Sequence, residues 1–177
     1  MNKTIKHVGT LLSIWLLSVN FHPSESPLKR TKDPELCLEI DGKIAFDQSG
    51  LDESCYIVLY RYNQIVDSFQ FTSKTKKFKF ALKKNLDYTI EIRKKGYYTR
   101  LIAVSTALPD KTKDHKKMYK YRFYTKLLSE ERSTKLNDDA VDFPIAIIKY
   151  NSRINQFLND KRYTKEIKKL MMNNKGF

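Results

Sequence analysis

The chain has 177 residues, 41% of them hydrophobic and 31% charged, and 34 Lys and Arg against 20 Asp and Glu give it a net charge of +14. That length suits one domain of about 150 residues, large enough to bury a core without obligatory covalent staples. Five glycines without a G-x-x-x-x-G-K or G-x-G-x-x-G pattern exclude a phosphate-cradling loop, and three histidines, His7, His22 and His115, exclude a zinc site or an oriented catalytic triad.

Residues 1–26 read as a secretory signal peptide, with Lys3 and Lys6 ahead of the apolar run Val8 to Val19. About 12 apolar residues are too few to span ~30 Å of hydrocarbon, so a membrane-spanning helix is not expected. No cysteine follows closely enough for a lipid anchor. Residues 27–35 are a linker, and the first strand is expected over Leu36 to Ala45, with a bulge or bend at Asp41-Gly42. The turn-rich segment Asp47 to Gly50 follows. Asp47, Asp52 and Glu53 do not match the spacing of a calcium-binding loop and read as a solvated turn.

Cys55 to Tyr62 and Ile65 to Phe71 are expected to be strands joined at Asn63-Gln64. Phe78, Phe80 and Leu82 alternate with Lys77, Lys79 and Ala81, giving a strand with one apolar and one wet face. Tyr88, Ile90 and Ile92 repeat the pattern after Lys83-Lys84-Asn85, so a tight hairpin is expected between the two. Lys95-Gly96 then calls for a positive φ, and Leu101 to Thr106 resumes as a strand. Pro109 to Lys117 is a charged loop, Tyr119 to Leu127 alternates again, and Phe143 to Tyr150 is read as an edge strand, with Pro144 near its start. Asp160 can cap a C-terminal helix whose Tyr163, Ile167, Leu170 and Met171 form an apolar stripe opposite a Lys-rich face. That helix either packs on the rest of the domain or lies on an anionic membrane or a partner.

The succession Gly42-Lys43-Ile44, Asp47-x-x-Gly50-Leu51, Ile57-Val58-Leu59, Phe78-x-Phe80-x-Leu82 and Tyr88-Thr89-Ile90-x-Ile92-x-Lys94-x-Gly96-Tyr97 resembles the carboxypeptidase regulatory-like domain. The resemblance spans residues 36–106 and implies a mainly β fold: a transthyretin-like (prealbumin-type) antiparallel β-sandwich of about seven strands. It departs from the family at Thr75, Lys76 and Lys77, where relatives often carry Asp-x-x-Gly. Together with Thr106 to Pro109 and Asp142 to Ile148, the chain is similar to small exported envelope proteins of Gram-negative bacteria, in which this sandwich is a structural or interaction module without catalytic residues. The implied organisation is a signal peptide (1–26), a linker (27–35), the sandwich (36–128) and a C-terminal extension with one strand and one helix (129–177).

The expected function is therefore non-enzymatic, in the periplasm or cell envelope, with no cofactor and no catalytic or metal-binding residue. The partner is a protein of the envelope, or else an anionic glycan, lipopolysaccharide or membrane surface attracted to the lysines, with peripheral membrane association; nucleic acid is not expected. Spread-out lysines equally describe a solvated surface that protects strand edges. Cys37 and Cys55 form either a disulfide or a pair of small buried hydrophobes.

Overall fold

A computed structural model describes residues 35–46, 54–71, 77–109, 118–131 and 142–172. The signal-peptide reading, most of the linker, the Asp47 to Glu53 turn, the loop carrying His115 and the terminal Asn173 to Phe177 lie outside the described residues.

The described chain is mainly β, with nine strands and one helix. The strands are β1 (Leu36–Phe46), β2 (Cys55–Arg61), β3 (Gln64–Phe71), β4 (Lys77–Lys83), β5 (Asp87–Lys94), β6 (Arg100–Ser105), β7 (Tyr119–Leu127), β8 (Ala146–Asn151) and β9 (Gln156–Asn159), and the helix is α1 (Lys161–Met172). They form a three-stranded sheet ordered β4-β1-β7 and a six-stranded sheet ordered β3-β2-β5-β6-β8-β9. The inward residues of both sheets make one core, with Leu38, Ile40, Ile44, Phe80 and Leu82 from the small sheet meeting Ile57, Ile90, Ile92, Ile102 and Ile148 from the large one. Each of these side chains is essentially buried, and their alternation with wet neighbours is the period-2 signal that the sequence carries.

Seven strands do fall within residues 36–128, but two pairings are parallel rather than antiparallel: β1 with β7 and β6 with β8. The C-terminal extension supplies two strands and a helix, not one strand and a helix. Its β8 lies inside the large sheet rather than at its edge, because the four-residue β9 covers its other side. Pro144 precedes β8 and so removes no ladder hydrogen bond.

The connection from β4 to β5 is not a hairpin. β4 pairs with β1, whereas β5 lies between β2 and β6 in the other sheet. Thr106, fully buried, holds this crossing from one residue beyond β6. Its hydroxyl lies 2.7 Å from the carbonyls of both Lys83 and Leu86 and accepts the Leu86 N–H at 2.9 Å, while Asn85 turns with φ 58°. The Asn85 carboxamide in turn accepts the Leu108 N–H at 3.1 Å.

Gly42 serves close approach rather than a bulge. The inward Phe78 ring crosses it to meet Phe123 on β7, 5.6 Å between centroids. The β1 bulge sits instead between Leu36 and Leu38, and it turns both Cys37 and Leu38 inward. Gly96 takes the expected positive φ, 73°. At the far side, the rings of Tyr119, Tyr150 and Phe157 meet edge to face, and the Tyr119 and Tyr150 hydroxyls both donate to Asn155 Oδ1, joining β7 to the β8–β9 hairpin.

Candidate functional site

Two places combine unusual chemistry with access: the free edge at β3 and a cavity beneath α1.

Exposed strand edges invite pairing with other chains, and among the described residues three of the four sheet edges are blunted. β4 carries Lys77, Lys79 and Lys83; β7 carries Lys120, Arg122 and Lys126; β9 is only four residues long. β3 is eight residues long and contains neither Lys nor Pro. All but its last residue are exposed, including Ile65, Val66 and Phe69. It joins β2 through the two-residue turn Tyr62-Asn63, one position earlier than the sequence suggests, with φ of 49° and 60°. Two successive positive φ values mark a type I′ turn, which matches the right-handed twist of the paired strands. A bulky tyrosine tolerates this conformation poorly, yet Tyr62 stands 74% exposed at the hairpin tip.

The second place is a cavity of about 590 Å³ between β7 and the β6–β8 end of the large sheet, roofed by α1. The helix is held there from its first turn. Asp160 Oδ1 accepts the Tyr163 N–H at 3.1 Å and Oδ2 meets Lys149 Nζ at 2.8 Å; these contacts keep the Asp160 carboxyl below its ordinary pKa. Ile167 and Met171 then pack against Ile145, leaving Leu170 half exposed and Lys161, Lys165 and Lys169 outward. The apolar stripe is thus largely spent on the sandwich, the first of the two readings of this helix.

Arg100 opens β6 with its side chain on the same inward face as Ile102 and Val104, and it is only 4% exposed. Burial lowers its pKa, with the nearby Tyr98 acting weakly the other way. Its Nη1 donates to Met171 Sδ at 3.7 Å, a thioether and hence a weak acceptor. No carboxylate pairs with it among the described residues. The signal for Arg100 is present in the sequence, as a charge at an inward position of a β-branched strand, but the strand extends one residue further back than the expected start at Leu101.

The lysines elsewhere are partly self-neutralised. On the outer face of the small sheet Glu39 lies 3.3 Å from Lys79 and 3.9 Å from Lys120, and Asp41 lies 3.7 Å from Arg122. Such exposed pairs contribute little stability, but they break up a continuous cationic surface. Tyr124 is exposed on this sheet and Tyr98 is half-buried.

The candidate disulfide between Cys37 and Cys55 is not formed; both are free, buried thiols. Cys37 sits near Lys84 and Tyr88, at the start of β5, whereas Cys55 pairs across to Lys94 at its end. At about 3.3 Å per strand residue, those positions are roughly 20 Å apart, far beyond disulfide reach. Burial pushes each thiol up to about 11. Among the described residues no three metal-ligating side chains cluster, and no helix is long and apolar enough to cross a membrane. No protein-family model matches the chain, and no curated protein matches it.

Proposed function

We propose that this protein is a non-enzymatic interaction module of the bacterial cell envelope, exported by its N-terminal segment and built on a sandwich of the carboxypeptidase regulatory-like kind. It takes an extended segment of a protein partner onto the free edge of β3. The observation that carries this reading is the contrast among the described edges: β4 and β7 are blunted by lysine and arginine and β9 by shortness, whereas β3 is eight residues long, free of lysine and carries exposed Ile65, Val66 and Phe69. Strand addition draws its affinity from main-chain hydrogen bonds, and the exposed Ile65 and Val66 offer apolar contact beside that ladder.

The test is retention of a partner from the protein's own envelope fraction at low and high salt, by the natural chain and by an Ile65→Lys, Val66→Lys variant. One defined protein, held at high salt by the natural chain and lost by the variant, is the expected result. Retention of only lipid or polysaccharide that is released by salt overturns it in favour of an anionic-surface binder, because screening weakens lysine-driven attraction but not a strand ladder. A partner that the variant holds equally well removes β3 from the account.

A further inference from the structure

We propose that the cavity beneath α1 is a binding site for a fatty carboxylate, whose chain lies between the sheets and whose head pairs with Arg100. This goes beyond the β3 reading and is independent of it, since β3 and the cavity occupy opposite ends of the large sheet.

The walls specify the tail. Tyr121, Phe123, Ile145, Ile148, Ile167 and Met171 line a cavity of about 590 Å³. That volume falls within the range of about 300–1,000 Å³ typical of small-ligand sites, which are apolar with a few placed polar groups.

The charges specify the head. Arg100, Lys126 and Lys168 line the cavity, as does Arg122, whose charge is already met by Asp41 at 3.7 Å on the outer face of the small sheet; no Asp or Glu lines the cavity among the described residues. A guanidinium this deeply buried ordinarily has a carboxylate partner, because taking it out of water without one is costly. Here its contact is a thioether at 3.7 Å. No fully buried side-chain nitrogen or oxygen is without a partner among the described residues, so the guanidinium donors that Met171 does not engage are not fully buried, and Arg100 lines the cavity. The planar fork of those donors matches the two oxygens of a carboxylate. The outer cations, Lys126 and Lys168, favour approach of an anion. A cationic or neutral amphiphile finds no complementary group.

Isothermal titration calorimetry with dodecanoate, kept below its micellar concentration, tests the assignment, with dodecyltrimethylammonium and dodecanol as controls of equal chain length. Dodecanoate is expected to bind one to one, and both controls at least about tenfold more weakly, the usual worth of a charged hydrogen-bonding partner. Arg100→Gln is expected to weaken dodecanoate at least about tenfold, and Arg100→Lys, which keeps the charge but not the fork, by less. Ala146→Phe leaves Arg100 in place and fills the cavity, and it is expected to abolish binding. This last variant decides the matter if Arg100→Gln does not fold. Equal binding of all three amphiphiles, binding undiminished in Ala146→Phe, or no binding of dodecanoate by the natural chain overturns the proposal.

Discussion

Replacing Gly42 by alanine is a sharp test of how the two sheets fit together. A Cβ at this position would stand 2.3 Å from Phe78 Cζ, 2.4 Å from Cε1 and 2.9 Å from Cε2, where carbon atoms ordinarily keep about 3.5–4.0 Å. The ring must retreat by roughly 1 Å, yet it is boxed in by Phe80 and Phe123, with centroids at 5.4 and 5.6 Å. Overpacking of this kind costs about 1–3 kcal/mol, and disturbing the aromatic contacts adds about 0.5–1.5 kcal/mol. Gly42 is not among the positive-φ residues, so alanine fits its backbone and offsets about 0.5–1 kcal/mol through the unfolded chain. The net expectation is a loss of about 1–3 kcal/mol, read in urea as a midpoint lowered by about 1 M at unchanged slope. Phe78→Leu removes the obstructing ring edge, and in that background Gly42→Ala is expected to cost at least ~1 kcal/mol less. A neutral Gly42→Ala, or a double variant that is simply additive, refutes the reasoning.

Thr106→Val deprives the partly buried Leu86 N–H of its acceptor and is expected to cost about 1–3 kcal/mol; Thr106→Ser keeps the hydroxyl and should lose less, and equal losses in thermal melts would remove the hydroxyl from the account. Tyr62→Asn suits the left-handed turn and is expected to raise stability by about 1 kcal/mol in urea, so a destabilised variant would count against the turn geometry. Neither thiol is expected to react with an aromatic disulfide reagent at pH 8 until urea is added, and equal rates in the folded and unfolded chain would contradict their burial. The unfolded thiols ionise from about 9.0 and the folded ones near 11, so the folded state binds more protons in that window and stability falls as pH rises through it. A Cys37→Ala, Cys55→Ala variant should show a shallower fall. Asp160→Ala, which loses both the cap and the Lys149 pair, is expected to speed amide exchange in the first turn of α1, whereas Asp160→Asn retains the cap and most of the protection.

Alternation in the sequence is enough to locate β1, β2 and β4 to β7, because each has an inward row dominated by Ile, Leu, Val, Phe or Tyr; β3, exposed along almost its whole length, is marked instead by its Ile, Val and Phe content, and Asp160 announces the helix by its capping chemistry. Pairing is a different matter. Lys83-Lys84-Asn85 serves a hairpin and a crossing between sheets equally well, and Thr106, distant in sequence, settles which one forms. The same inward row suits a parallel or an antiparallel neighbour, so the β1–β7 and β6–β8 partnerships have no local mark. β9 is too short to display a period. Of the cavity, only Arg100 had a signature, and its meaning depends on α1 folding back over β6.

The two parallel partnerships also govern the order in which the molecule can be completed. β2 and β3 are neighbours in sequence and in space, as are β5 and β6, and β8 and β9, so three of the five pairings in the large sheet are local. The small sheet cannot close until Tyr119 to Leu127 reaches Leu38 to Phe46 across most of the domain, and β8 must likewise find β6 over a long intervening segment. Such high contact order makes folding slow, because loop-closure entropy is lost before the ladder stabilises it. A chain emerging N-terminus first therefore leaves β1 with one vacant side until β7 is released, and it is during that interval that the protein is most open to capture by a chaperone or to mispairing with another copy.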